Sequence, residues 1–194
     1  MPNKSDPGDR GHEETKDPPL SWRSLLEIAQ ALALAVVISV VLNLFVVQVT
    51  EVRQSSMETT LEQDDRVLVS KLDFHFAPPR PGDIVVFDPP IPGATVPFVK
   101  RVIAVGGDTI DLRDGDVFVN GRVVETPQAR GRTLPQAATV TYPFTVPDGQ
   151  VFVMGDNRTF SSDSRTFGPV PVENIIGKVI IRFWPATRMV FFEW

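Results

Sequence analysis

An apolar run of 20 residues without a charged side chain, numbers 28–47, constrains this chain more than any other feature. A helix of about 20 residues crosses a hydrocarbon core of about 30 Å. Cleaved signal peptides have shorter apolar regions, of about 7–15 residues, followed by a small-x-small site, whereas the Ala-x-Ala triplets here lie inside the start of the run. A buried core helix this long and this uniformly apolar is unexpected in a chain of 194 residues. We therefore predict a retained transmembrane anchor helix over residues 22–49.

The basic residues on either side of the run predict its orientation. Arg10, Lys16 and Arg23 precede it, and Arg53 and Arg66 follow it. Cytoplasmic flanks carry an excess of Lys and Arg close to the membrane, and acidic residues contribute little to this rule. The small excess before the run predicts a cytoplasmic N-terminus, a single membrane crossing and an extracytoplasmic C-terminal part.

Composition divides the rest of the chain. Residues 1–21 are polar, charged and rich in proline, so they cannot bury enough apolar surface to offset the entropy of ordering, and we predict a disordered tail. Residues 50–194 have the length of one domain. The net charge of −5 and the absence of a basic block give no support for a nucleic-acid partner.

Short β-branched and aromatic runs, bounded by Gly, Pro or Asp, follow the anchor, and they predict strands. Asn120-Gly121 between two such runs predicts a tight type I′ hairpin, because both central residues of that turn need a positive φ. The fold class that follows is mainly β, an antiparallel sheet assembly that is barrel-like or sandwich-like. Residues 125–147 hold several prolines and predict an excursion with a strand pair of its own. The predicted strands are RVLVSKL, DIVVF, PFVKRVIAV, DVFVNGRVV, TVTYPFTV, QVFVMG and KVIIRFW.

A serine and a lysine are the candidate catalytic pair. Ser56 lies shortly after the apolar run, and Lys100 lies in a predicted strand. A serine is a poor nucleophile until a base removes its proton, and a lysine serves as that base only when burial keeps it neutral. Strand alternation places Phe98, Lys100 and Val102 on one face, which is compatible with such burial. The chain has no cysteine, and its two histidines, His12 and His75, are far apart in sequence, so no metal-ligand cluster is evident.

Other interpretations of these residues remain open from the pattern alone. Lys100 would also suit an edge strand from which its amine reaches solvent. Serines in clusters such as Ser55-Ser56 usually mark turns or helix caps. His75 could serve as the base of a Ser–His hydrolase, although a structural histidine is the more common explanation of its aromatic surroundings.

Four segments, in this order, resemble the sequence boxes of type I signal peptidases, the membrane-bound serine proteases that remove signal peptides from exported proteins. Behind one apolar anchor, the four together are specific, although each alone is weak. The similarity extends from the anchor to Phe183-Trp184-Pro185. The segments are QSSMETTL at 54–61, RPGDIVVF at 80–87, KRVIAVGGD at 100–108, and GDNR at 155–158 followed by SSDSRTFG at 161–168.

The resemblance implies a role for each matching residue. Ser56 would be the nucleophile and Lys100 the general base, and Ser161 would hydrogen-bond the lysine amine and orient it. The Ser56 backbone N–H would donate to the oxyanion. Asp163 and Arg165 would form an internal ion pair that braces the loop carrying Ser161. No cofactor and no metal are implied.

The resemblance also implies a substrate and a location in the cell (plasma or inner) membrane. Signal peptides of preproteins would bind as extended strands and be cut after small residues, commonly in an Ala-x-Ala pattern. Aromatic residues favour the lipid interface. The expected pocket residues are Val52, Met57, Leu61, Phe98 and Val99, and the expected lipid-facing residues are Phe74, Phe76, Phe191, Phe192 and Trp194.

Two positions depart from the family pattern. Thr59 stands where the family usually has proline, which predicts a less rigid turn after the nucleophile. Gln54 stands where many members carry a small residue whose hydroxyl completes the oxyanion hole. A glutamine amide can donate a hydrogen bond as well, so Gln54 is a candidate for the same role.

Two further classes of protein are weighed against this interpretation. A self-cleaving repressor-type protease shares Ser–Lys chemistry and a β fold, but it carries a DNA-binding domain, and no helix-turn-helix pattern is present here. A non-enzymatic membrane-anchored adaptor would need neither Ser56 nor Lys100.

Overall fold

The computed structural model describes residues 22–41, 46–136 and 139–192. It divides into two units, residues 1–40 and 41–194. In the first unit, helix α1 (Trp22–Val41) is long and apolar enough to cross a membrane, and its large apolar side chains are exposed. The predicted disordered tail, residues 1–21, lies outside the described residues.

The second unit consists mainly of strands. Two short helices, α2 (Asp73–Phe76) and α3 (Ser164–Phe167), interrupt them. The strands are β1 (Val47–Glu51), β2 (Arg66–Ser70), β3 (Ile84–Phe87), β4 (Phe98–Val105), β5 (Thr109–Arg113), β6 (Asp116–Val119), β7 (Arg122–Val123), β8 (Phe144–Thr145), β9 (Gln150–Met154), β10 (Val170–Pro171), β11 (Ile175–Trp184) and β12 (Val190–Phe191).

The strands form two antiparallel sheets within the described part of the chain. The larger has the order β1-β2-β11-β3-β4-β9-β10, with β12 added to β11, and the smaller has the order β7-β6-β5-β8. Three clusters of buried apolar side chains lie against these strands. The predicted fold class, antiparallel β-sheets preceded by one N-terminal apolar helix, is confirmed.

The hairpin predicted at Asn120-Gly121 is also confirmed. β6 and β7 pair across these two residues, and their φ angles are 52° and 76°. A positive φ at both central positions is the signature of the type I′ turn, whose twist matches that of the flanking strands.

The predicted excursion, residues 125–147, differs from expectation. The described residues there contribute one short strand, β8, which pairs with β5 of the smaller sheet instead of with a partner inside the excursion. An isolated bridge joins Arg130 to Asn157. The prolines of this segment prevent the ladder of backbone N–H donors that a strand pair needs.

Of the aromatic residues expected at lipid, Phe76 and Phe191 are exposed, whereas Phe74 and Phe192 pack against the apolar clusters. Trp194 lies outside the described residues. Apolar burial, which is available to side chains on a sheet face, accounts for the difference.

A glycine permits the close approach of two central strands. A Cβ built on Gly177 of β11 would overlap the carbonyl oxygen of Ser70, at the end of β2. Gly177 also lies at an irregularity in the register between β11 and β3. The strands β2, β11 and β3 therefore depend on the absence of a side chain at this position.

We expect Gly177→Ala to destabilise the second unit by about 3 kcal/mol, because the added methyl group overlaps backbone atoms that cannot move independently. Gly121→Ala is the control. Its added methyl group meets no atom within 4 Å, so the expected loss of stability is only that of an alanine held at a positive φ, about 1–2 kcal/mol. Urea unfolding of both variants in detergent would measure the difference. Equal losses would show that the sheet relaxes around residue 177.

Candidate active site

A short 3-10 turn, Ser55–Met57, presents the serine. The fully buried Met57 side chain anchors the turn in the apolar core, and Ser56 is 6% exposed. The backbone N–H of Asn157 donates to the Ser56 carbonyl at 3.0 Å. Core packing on one side and this hydrogen bond on the other fix the turn.

Lys100 reaches Ser56 from strand β4. Its Nζ lies 2.7 Å from Ser56 Oγ, 3.2 Å from the Val99 carbonyl oxygen and 3.4 Å from Gln54 Oε1. The lysine is 0% exposed. The alternative in which its amine reaches solvent from an edge strand is therefore wrong, since β4 lies between β3 and β9.

Burial determines the charge of this lysine. It lowers the pKa of Lys100 from 10.5 to about 8, although the negative charge of Asp163 acts in the opposite direction. Removal from water penalises the ammonium form more than the neutral amine. The Nζ atom also lies 4.9 Å from the centroid of the Phe98 ring. Near pH 8 a large fraction of the amine is neutral, as a general base requires.

The structure does not contain the predicted hydrogen bond from Ser161 to the Lys100 amine. Ser161 Oγ is buried and has no hydrogen-bond partner among the described residues. The lysine amine instead contacts the three oxygens of Ser56, Val99 and Gln54. Gly155 separates Ser56 from Ser161: a Cβ at residue 155 would overlap both the Ser56 carbonyl oxygen and Ser161 Oγ.

Asp163 and Arg165 lie next to Ser161 as an ion pair, with Arg165 Nη2 2.8 Å from Asp163 Oδ2 and both side chains at most 1% exposed. Asp163 Oδ2 also accepts from the Gly155 N–H at 3.0 Å, and Arg165 Nη2 donates to the Arg158 carbonyl at 2.9 Å. The pair therefore ties together both ends of the loop that carries Ser161.

A second buried carboxylate, that of Asp156 in the GDNR segment, connects the nucleophile turn to the lysine strand. Asp156 accepts from Arg101 Nε at 2.9 Å and Nη2 at 2.7 Å, and from Thr60 Oγ1 at 2.5 Å. Arg101 follows Lys100 in β4, and Thr60 follows the Ser56 turn. The fixed fork of a bidentate guanidinium–carboxylate pair adds geometric precision.

A groove of about 340 Å³ opens beside Ser56. Val52, Met57 and Val99 of the predicted pocket line it. Leu61 is fully buried in the core beneath, and Phe98 instead lines a second hollow on which Ser56 also opens. The groove walls that the sequence did not indicate are residues 48–51 of the edge strand β1 and residues 95–97.

The two departures from the family pattern have distinct local structures. Gln54 directs its Oε1 atom to the lysine amine. Thr59 has a φ of 84° and donates from Oγ1 to the Gln128 carbonyl at 2.5 Å. The looser turn stays a prediction. The turn here is held by a hydrogen bond to residue 128, at a backbone angle that is rare for a β-branched residue.

Among the residues that the structure describes, no group of His, Cys, Asp and Glu side chains could hold a metal ion. His75 lies in the short helix α2. The geometry of a buried amine in contact with a serine hydroxyl supports acyl transfer by the serine.

The model of the family described as "Signal peptidase, peptidase S26" matches residues 25–184. The chain belongs to this signal peptidase family. A probable signal peptidase I-1 from Synechocystis sp. is 41% identical over 182 residues, covering 88% of each chain. The thylakoidal processing peptidase 1 of Arabidopsis thaliana chloroplasts is 36% identical and covers 84% of this chain and 49% of its own. A crystal structure of a signal peptidase I from Enterococcus faecalis V583 is 30% identical, with a TM-score of 0.44, covering 52% of this chain and 95% of that one.

The family model and the Synechocystis relative confirm the predicted family and the predicted enzyme class. The chain is a serine peptidase of the signal peptidase I type. The alternatives of a repressor-type protease and of a non-enzymatic adaptor are thereby set aside.

We expect Lys100→Met to be inactive and more stable than the wild type by about 3 kcal/mol at pH 7, since lowering the pKa from 10.5 to about 8 reflects the cost of burying the ammonium ion. The cost is fully present below the folded-state pKa. It disappears as the pH rises toward the unfolded value, so the gap should close by about pH 10.5. Denaturant unfolding at a series of pH values would measure it.

The control for that experiment is Ser56→Ala, which should also be inactive but keeps the buried amine. It should therefore show no comparable gain in stability. A Lys100→Met variant that is less stable than the wild type at pH 7 would show that the contacts of the amine outweigh its desolvation.

Proposed function

We propose that this enzyme is a membrane-anchored endopeptidase that cleaves signal peptides from exported preproteins by a Ser56–Lys100 dyad. The observation that carries the proposal is the 2.7 Å contact between a fully buried lysine amine and a serine hydroxyl that opens onto a groove. The pairing of a nucleophile with a base within hydrogen-bond reach is the arrangement that activates serine.

In the proposed reaction, neutral Lys100 takes the proton of Ser56 Oγ as that oxygen attacks the scissile carbonyl. The tetrahedral intermediate then collapses, and the lysine ammonium gives its proton to the leaving amine. The acyl group remains on Ser56 until a water molecule, deprotonated by Lys100, attacks it. Hydrolysis frees the carboxylate of the signal peptide and restores both side chains.

The negative charge on the intermediate needs donors placed in advance. The Ser56 backbone N–H is one. We assign the Gln54 amide as the other, because its oxygen faces the lysine amine and its NH₂ group lies on the opposite side of the same planar amide. Loss of one such donor typically slows an enzyme by about 10²–10³-fold. One side chain would thus contact the base through its amide oxygen and the oxyanion through its amide NH₂ group.

Ser161 is proposed as a positioning residue for Lys100. Its buried hydroxyl has no hydrogen-bond partner among the described residues, and such a group is costly unless it gains a partner at some stage of function. A shift of the lysine amine away from Ser56 during proton transfer would provide one. The ion pair of Asp163 and Arg165 fixes the loop in place for that contact.

The groove supports an extended peptide with small side chains. The strand β1 lies at the edge of the larger sheet, where its free backbone groups can pair with a substrate strand. Val52, Met57 and Val99 form an apolar wall beside Ser56. Their bulk limits the side chains that fit before the scissile bond, which supports cleavage after an Ala-x-Ala sequence.

The proposed location is the cell (plasma or inner) membrane, with α1 as a single anchor, the N-terminus in the cytoplasm and the catalytic unit outside. The composition and length of α1 support the anchor. The cations that precede and follow it support the orientation.

The decisive test is cleavage of a preprotein with an Ala-x-Ala site by the full-length protein in detergent. We expect the wild type to cut after the second alanine, and Ser56→Ala and Lys100→Ala to lose at least about 10⁴-fold in kcat, because the dyad acts as one unit. His75→Ala is the matched control and should retain activity. Loss of activity in a folded His75→Ala variant, or cleavage by folded Ser56→Ala, would contradict the dyad.

The pH dependence provides an independent test of the base. With the pKa of Lys100 lowered to about 8, kcat/KM should rise about tenfold per pH unit below pH 8 and level off above it. A peptide without titratable side chains near the bond serves as the substrate. A rate that rises only above about pH 10 would show that the lysine behaves as an ordinary solvated amine.

A further inference from the structure

A second hollow, of about 360 Å³, meets the substrate groove at the nucleophile. Gln63, Phe98 and Phe160 line it, and Arg53, Gln54 and Ser56 line both this hollow and the groove. An extended peptide passes the nucleophile only once, so a peptide that fills the groove up to Ser56 enters this hollow with the residues that follow the scissile bond.

The chemistry of the lining residues indicates which cavity receives the residues before the scissile bond and which receives those after it. The groove has an apolar wall and a free strand edge, which suit the small residues of a signal peptide. The second hollow then receives the first residues of the mature protein, the part that leaves with the new N-terminus.

Among the described residues, one charged side chain lines the second hollow. It is that of Arg53, which is 71% exposed and also borders the groove, and no described carboxylate lines the hollow with it. The nearest acid is Glu51, whose carboxylate lies 4.0 Å from the Arg53 guanidinium and lines the groove instead. Such an exposed, loosely paired guanidinium can turn toward a carboxylate that enters beside it.

The aromatic ring of Phe160 also lines the hollow. Phe160 is 73% exposed although it lies two residues after Arg158, which is buried. Its loop is held by the hydrogen bonds of Asp163 and Arg165, so the ring is presented on a fixed support. An exposed ring at the edge of a catalytic hollow gains apolar contact when a substrate side chain covers it.

We propose that this hollow selects the first residues of the mature protein, with Arg53 favouring an acidic side chain and Phe160 favouring an apolar one. This inference rests on the proposed function. It adds a preference on the leaving side of the bond, beyond the small residues that precede it. The preference is modest, because Arg53 is largely solvated.

The test uses matched substrates with one Ala-x-Ala site that differ only in the second residue after the bond, which is Asp, Asn or Lys. We expect kcat/KM of the wild type to fall in that order, by about threefold at each step, the size expected of an exposed ion pair. Arg53→Gln should bring the three values within about twofold, and Arg53→Glu should reverse the order. Arg122→Gln, which alters an exposed arginine on β7, should keep the wild-type ratios.

A second set of substrates carries Leu or Ser in the same position. We expect the wild type to favour Leu by about fivefold, from the apolar area that covers Phe160. Phe160→Ser should abolish this ratio. Phe76→Ser, which alters a still more exposed ring on α2, should retain it.

Each ratio compares substrates on one preparation, so a partly misfolded variant does not distort it. Equal cleavage of all substrates by the wild type would overturn this inference and leave the proposed function intact. Ratios that persist in Arg53→Gln and Phe160→Ser would overturn the assignment of these residues. The absence of cleavage of any substrate would overturn the proposed function and the inference with it.

Discussion

The burial of one amine is the constraint on which the rest of the site depends. Lys100 is 0% exposed and still contacts a hydroxyl, a backbone carbonyl and an amide oxygen. A neutral amine tolerates such a position, whereas an ammonium ion is penalised by its loss of water. The fold accepts this penalty because β4 is a central strand whose neighbours fix it on both sides. The apolar strands that stabilise the sheet therefore also set the protonation state of the base.

Alignment of the base with the nucleophile comes from a carboxylate that never touches either of them. Asp156 binds Arg101, the residue after Lys100, and Thr60, which follows the Ser56 turn. The adjacent Asn157 N–H holds the Ser56 carbonyl. Three segments that are distant in sequence thus meet at one short loop. Buried networks of this kind are stable only when every polar group has a hydrogen-bond partner. A substitution in any of the three segments would therefore disturb the loop.

The sequence predicted the features that arise from local pattern. The strand β4 follows from its run of apolar residues, and the β6–β7 turn follows from Asn120-Gly121. It did not predict the path of residues 125–147, because the pairing of β8 with β5 depends on contacts across the fold. The hydrogen bond predicted between Ser161 and Lys100 is absent for a related reason. Several oxygens lie within a few ångströms of the lysine amine, and the sequence does not determine which of them its rotamer brings into contact. Phe98 was predicted to line the substrate groove, but it lines the second hollow beside Ser56 instead. Strand alternation predicts which face of the sheet a side chain lies on, but not which of two adjoining cavities it lines.

The unusual backbone of Thr59 has a consequence for how this enzyme could be altered. A proline ring fixes φ near −65°, and the φ of 84° found at residue 59 lies far outside that range. A proline at residue 59 could therefore be accommodated only if the whole turn were rebuilt, with loss of the hydrogen bond from Thr59 to the Gln128 carbonyl. Because this turn directly follows the nucleophile, a single substitution at residue 59 would also move the segment that presents Ser56.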